Sequence, residues 1–178
     1  GLADMKQYDK AFDVLGGIVR AAPDNMDALT QYGIVAERLN KVAIMEQSFD
    51  TVLSTRPADA MVLNYMGYAL ADRGLKLEKA RDCITRALAL DPDNGAYQDS
   101  MGWVLYKLGS YADALGSIRK AAGNSPYDAE IWQHLGAVYS VLGSTEAAWL
   151  SYRTAFMLEP ETPGLSDKAA AVFSGVPK

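Results

Sequence analysis

Apolar and small residues recur along this chain at helical spacing, and the recurrence itself repeats. Phe49, Ile84, Ile118 and Tyr152 occupy one place in successive units, and Val52, Ala87, Ala121 and Ala155 the place three residues on. Residues three apart share a helix face, so both sets predict the buried stripe of one helix per unit. In the segment before each stripe a glycine recurs, at Gly33, Gly67, Gly102 and Gly136; Met45, Ala80, Ala114 and Ala148 open the striped segment itself. Glycine inside a helix costs about 1 kcal/mol relative to alanine. Small residues at both places predict two helices packed close together, with dispersion contacts to offset that cost.

The punctuation has the same period. Pro23, Pro57, Pro92, Pro126 and Pro160 are spaced by 34, 35, 34 and 34 residues. Two residues after each comes an N-cap type, Asn25, Asp59, Asn94, Asp128 and Thr162, whose side-chain oxygen can accept a free N–H of the next turn. Asn40, Gly74, Gly109 and Gly143 divide each unit; these types most readily take the left-handed conformation that ends a helix. Each unit is therefore predicted to be a helical hairpin, with one extra residue in the turn of the second unit, at GLKLEKA.

The fourth unit, IWQHLGAVYSVLGSTEAAWLSYRTAFMLEP, resembles the tetratricopeptide repeat (TPR) motif. Trp132, Leu135, Gly136, Tyr139, Ala148, Tyr152, Ala155 and Pro160 occupy its positions, with Tyr152 where the motif has Phe. The other units depart at the first aromatic, which is Leu29, Leu63 and Gln98, and at the Tyr139 position, which is Ala36, Leu70 and Leu105. The resemblance implies an all-α superhelical solenoid of antiparallel helix hairpins. Its expected division is a half repeat over 2–25, repeats over 26–59, 60–94, 95–128 and 129–162, and a capping helix over 163–174. In the half repeat, Leu15 and Ile18 have second-helix spacing from Pro23. In the cap, Pro163 suits a first helical turn. The chain is expected to be a fragment of a longer protein.

Charge and composition narrow the partners. The chain has 178 residues, 49% of them hydrophobic, and a net charge of −5. No block of lysines or arginines stands out, which disfavours nucleic acid and anionic membrane surfaces. No apolar run approaches the roughly 18 residues of a membrane span. The single cysteine, Cys83, cannot form an internal disulfide and reads as a small packing residue. NYMGYALADRG, followed a repeat later by DSMGWVLYKLG, is similar to paired stretches in bacterial multi-repeat proteins, including envelope lipoprotein adaptors. That similarity implies a bacterial source and favours periplasm or envelope over cytoplasm.

In arrays of this kind the first helices line a concave groove, and positions 2, 5, 9 and 12 of each share one face. The groove is thus expected to hold Asp27, Thr30, Ile34 and Glu37, then Met61, Asn64, Tyr68 and Ala71. It continues with Ala96, Asp99, Trp103 and Tyr106, then Glu130, Gln133, Ala137 and Ser140. Asn64, Tyr68, Asp99, Trp103, Tyr106, Glu130 and Gln133 are the expected partner-binding residues. Asn64 can donate to and accept from a peptide backbone, and the aromatics offer apolar area with polar tips. The plainer alternative is that Trp103 and Tyr106 pack against the neighbouring repeat and Asn64 is a solvated amide.

Chaperone-binding members of the family carry a carboxylate clamp of Lys, Asn and Arg. Its places here hold Thr30, Ile34, Tyr65, Ala96 and Ser100, or, one repeat later, Asn64, Tyr68, Ser100, Glu130 and His134. The clamp is absent in both registers, and Asp27, Glu37, Asp99 and Glu130 favour a neutral or basic peptide or helix. The expected function is a protein-binding scaffold. The alternative is a structural spacer that self-associates through the N-terminal half repeat, with any catalytic domain elsewhere.

No catalytic constellation emerges. His134, the only histidine, follows Glu130 by four residues, the spacing of an exposed pair worth about 0.3 to 0.5 kcal/mol, and reads as structural. Cys83 has no second histidine to activate it. No cofactor is implied, and a metal site lacks ligands. DPDNG, at 91–95, has its glycine one place too early for a calcium loop, and Gly102 stands where a bidentate Glu is needed.

Overall fold

A computed structural model describes residues 2–173. Among them are ten helices and no strand: α1 (Leu2–Ala21), α2 (Met26–Arg38), α3 (Val42–Thr55), α4 (Ala60–Asp72), α5 (Leu77–Leu90), α6 (Gly95–Lys107), α7 (Tyr111–Asn124), α8 (Ala129–Val141), α9 (Thr145–Leu158) and α10 (Leu165–Phe173). They pair as hairpins α2/α3, α4/α5, α6/α7 and α8/α9, with α1 against α2 and α10 against α9. The first helices also meet one another, α4 with α6 and α6 with α8. The fold is all-α and built from stacked hairpins.

The helix boundaries follow from local chemistry. Asn25, Asp59, Asn94 and Asp128 accept from Ala28, Val62, Tyr97 and Glu130 backbone N–H groups respectively, each satisfying a donor the helix itself cannot. Thr162 departs from that pattern. Its hydroxyl donates to Glu159 instead, and α10 starts at Leu165, after Gly164 at φ +74°. Pro163 accordingly lies ahead of the helix and outside its first turn.

Asn40, Gly74, Gly109 and Gly143 all have positive φ. After each, the next N–H reaches back to a carbonyl of the finished helix: Lys41 to Ala36, Leu75 to Leu70, Ser110 to Leu105 and Ser144 to Tyr139, all at 2.8–2.9 Å. This is the six-to-one bond of a Schellman ending. The extra residue of GLKLEKA is absorbed at Lys76, which is also left-handed (φ 44°) and bonds Glu46 of the preceding hairpin at 2.8 Å.

The recurrent glycines mark a close approach inside each hairpin. A Cβ on Gly33 would stand 2.6 Å from Phe49, on Gly67 2.5 Å from Ile84, on Gly102 2.2 Å from Ile118 and on Gly136 2.8 Å from Tyr152. The glycine therefore makes room for the large residue of the apolar stripe. The small residues of the second helix contribute backbone instead, since the Ala80 and Ala114 carbonyls lie at 2.9 and 3.2 Å from the same hypothetical atoms. Phe49, Ile84 and Ile118 are fully buried in consequence. The core runs from α2 to α6, continues in α7 and α8, and ends where Leu165 of α10 joins Tyr152 and Ala155.

Polar bridges tie one hairpin to the next. The Arg73 guanidinium at the end of α4 donates to the Glu37 carbonyl at 3.1 Å and to its carboxylate at 2.7 Å. At the following junction Lys107 donates to the Asp72 carbonyl at 2.8 Å and Trp103 Nε1 to the Asp72 carboxylate at 3.1 Å. Both carbonyls lie in the last turn of their helix, where the helix supplies few donors, and the Glu37 carbonyl also accepts the Asn40 N–H at 2.9 Å.

Candidate partner-binding site

The first helices α2, α4, α6 and α8 enclose a concave cavity of about 440 Å³. Among its lining residues are Asn64, Tyr68, Asp99 and Glu130, four of the seven expected from sequence. It is also lined by Asp72, and by Tyr65 and Ser100, which the sequence named only as occupants of clamp places and not as groove residues. The helical face is one residue wider than the chosen positions: 65 and 100 sit beside 64 and 99, and the superhelical turn brings both rows inward.

Trp103, Tyr106 and Gln133 are not among the lining residues. Trp103 lies between aromatic neighbours, parallel to Tyr106 (4.8 Å between centroids, 2° between planes) and stacked on His134 (4.0 Å, 17°). The Lys107 ammonium lies 4.9 Å from its ring. With Nε1 bonded to Asp72, the indole cements α4, α6 and α8. Offset stacking and a cation over the ring each add to the area buried. Tyr106 continues the stack toward Tyr111, 5.5 Å away. Gln133 is half-buried on α8.

Asp99 and His134 are where the structure departs most from the sequence expectation. Asp99, placed on the groove face, is only 5% exposed, and His134, read as one half of an exposed pair with Glu130, is 7% exposed. Their side chains meet each other instead, His134 Nδ1 to Asp99 Oδ2 at 2.8 Å. Burial works against the imidazolium, but the Asp99 carboxylate, by charge and hydrogen bond, outweighs it. Glu130 and Asp72 add to the effect, so the His134 pKa is raised. Spacing along one helix could not reveal this pair, because its members lie 35 residues apart on α6 and α8.

Glu130 is engaged across the cavity by the Tyr68 hydroxyl, which donates to its carboxylate. Burial, then the charge and hydrogen bond of Glu130, then Asp72 and Asp99, push the Tyr68 phenol strongly upward, so it stays a donor at every ordinary pH. Two acceptors next to the cavity have no donor, Asn64 Oδ1 and Asp99 Oδ1. The charge along the lining is uneven. At one end Glu37 is matched by Arg73 and Arg38, at 2.7 and 3.7 Å. At the other, Asp72, Asp99, Asp128 and Glu130 face the cavity with no lysine or arginine in the lining beside them.

Among the described residues no cluster of three His, Cys, Asp or Glu could hold a metal ion. No described helix is long and apolar enough to cross a membrane. Cys83 is buried in the core, and burial, followed by the charge of Asp82, raises its thiol pKa; it stays a packing residue.

Comparison with known proteins agrees with this architecture. A family profile described as tetratricopeptide repeat matches residues 67–129. The TPR repeat-containing protein PA4667 of Pseudomonas aeruginosa is 37% identical over 135 residues, 76% of this chain and 23% of that protein. Human tetratricopeptide repeat protein 7A is 35% identical over 101 residues, 57% of this chain and 12% of its own length. The chain therefore spans less than a quarter of either relative. Among solved structures, TTC0263 of Thermus thermophilus superposes with a TM-score of 0.82 at 21% identity, covering 97% of this chain and 94% of that one. MamA of Desulfovibrio magneticus RS-1 gives 0.71 at 20% identity, with 88% of each chain covered. The first TPR of Spaghetti (RPAP3), solved with the HSP90 peptide SRMEEVD, gives 0.60 at 22%, covering 65% of this chain and 91% of that one. From the homology to PA4667 and the repeated hairpins just described, this chain is a tetratricopeptide repeat protein, a member of a family of protein–protein interaction modules.

Proposed function

We propose that this domain is a scaffold whose concave face holds a segment of a partner protein, extended or helical, against α4, α6 and α8. The observation that carries the reading is the cavity itself. It joins side chains of successive hairpins, exposes Tyr65 and Glu130, and keeps a concentrated negative charge at one end. Aromatic surface gives contact area at low entropic cost, and the charge selects a complementary segment. A neutral or basic segment fits. The SRMEEVD peptide held by the RPAP3 repeat carries three carboxylate side chains, and here such a peptide would find no lysine or arginine at the clamp places and would meet Asp72, Asp99, Asp128 and Glu130 in the cavity lining.

Site-specific photocrosslinking tests the reading. A benzophenone side chain at Tyr65, in the cavity, is expected to give a discrete crosslinked partner in the source organism's extract. The same group at Thr85, exposed on α5, should give none. Equal yields from both positions would overturn the groove assignment.

The spacer alternative keeps one observation in its favour. Met5, Val14 and Ile18 of α1 are 56%, 64% and 41% exposed, and apolar helix faces in solenoids stack on neighbouring hairpins. Under that reading Val14→Glu with Ile18→Glu abolishes concentration-dependent association in sedimentation; a wild-type protein that is monomeric at every concentration removes it.

A further inference from the structure

The acidic end of the cavity combines three features. Asp99 is a carboxylate whose side chain is 7% exposed, and only one of its oxygens is occupied, by His134. Its Oδ1 and the Oδ1 of Asn64 are buried beside the cavity without a donor. Glu130 and Asp72 add negative charge, and Tyr65 and Tyr68 add aromatic wall.

We propose that this end of the cavity is a subsite for a guanidinium group, the side chain of an arginine in the bound segment. The proposal rests on the concave-groove reading and names the chemistry that the groove selects. Buried polar groups in folded proteins are almost always paired, and two acceptors left open next to an acidic cavity call for a donor that is itself cationic. An ammonium is a compact point charge with three donors. A guanidinium is a planar fork with five, able to serve divergent acceptors on α4, α6 and α8 together and to stack on tyrosine. Shielding from bulk water strengthens such charge-assisted bonds. Phosphate and carboxylate ligands are repelled by the same groups, and the donor set does not suit a metal.

The test is a titration of the isotope-labelled protein with N-acetyl-arginine amide, followed by amide chemical shifts. The neutral near-isostere N-acetyl-citrulline amide and the lysine analogue are run in parallel. Saturable shifts are expected from residues 64–72, 96–100 and 128–131, about tenfold weaker for citrulline and weaker for lysine. Asp99→Asn should abolish them. Because that variant alters a buried pair, Glu130→Gln, at an exposed position, provides the second arm and should weaken arginine binding about threefold or more. Equal affinity for arginine and citrulline, shifts centred elsewhere, or unchanged binding by Glu130→Gln would each overturn the subsite. A partner crosslinked from Tyr65 alongside indifferent arginine and citrulline probes would leave the groove standing and remove the subsite. Arginine binding without crosslinking would do the reverse.

Discussion

On one side of α6, Gly102 admits Ile118 of the next helix, with 2.2 Å between a hypothetical Cβ and its Cγ1. On the other side, Asp99 and Trp103 meet His134 of α8, two helices later. The first contact recurs in all four hairpins, with Phe49, Ile84, Ile118 and Tyr152 filling the space that glycine leaves. The second is made once. The places equivalent to Asp99 hold Thr30, Asn64 and Gln133, and those equivalent to His134 hold Gln31, Tyr65 and Ser100. Contacts within a hairpin are thus dictated by the fold and copied, whereas this contact between hairpins is individual. This junction is where the chain departs from its own repeat pattern.

The sharpest way to break this comparison is to remove one partner of the buried pair. Asp99→Ala leaves His134 enclosed beside Trp103 without its acceptor, and the expected loss is about 3–5 kcal/mol in urea unfolding. A double replacement of Asp99 and His134 by leucine should recover most of that loss, since an apolar pair carries no desolvation penalty. If Asp99→Ala proved near neutral, the junction would be no more than a surface contact.

Next in size is the repeated contact. Gly102→Leu forces Ile118 and the Ala114 carbonyl aside and should cost about 1–3 kcal/mol. In an Ile118→Ala background the same change should cost less, because the space is vacated. A melting temperature unmoved by Gly102→Leu would contradict the close approach.

The smallest effect concerns pH. His134 has a folded pKa above its ordinary 6.5, with Asp99 on α6, Glu130 on its own helix and Asp72 on α4 as the charges facing it. Its contribution to stability is therefore full below pH 6.5 and is lost as pH rises through the folded value. His134→Gln should flatten stability against pH in that window by up to about 1.4 kcal/mol per pH unit. Parallel curves for wild type and variant would show that the imidazolium is not favoured by the fold.

Part of the cavity lining could be read before the structure. Asn64, Tyr68, Asp99 and Glu130 follow from the groove that the family resemblance implies together with helical geometry and the repeat phase, and all four line the cavity. Asp72 and Ser100 escaped because they lie one residue outside the chosen stripe, and side chains lean from the helix by an amount that spacing does not encode. Trp103 and Tyr106 fall on the same stripe by position, yet they stack on each other and Trp103 stacks on His134, which is the packing alternative named for them from sequence. The sequence pointed to Glu130 as the neighbour of His134 because spacing along a single helix shows only pairs three or four residues apart.

The sequence by itself determined the period, the helix ends and the packing of each hairpin, because these rest on neighbours within a single repeat: an N-cap oxygen, a left-handed glycine, a gap facing a large side chain. The tertiary structure alone decided which charges meet and which remain open. Superhelical stacking brings residues 35 and 62 apart into contact, as in Asp99 with His134 and Tyr68 with Glu130, and the angle between successive hairpins is set by the summed packing of every core residue.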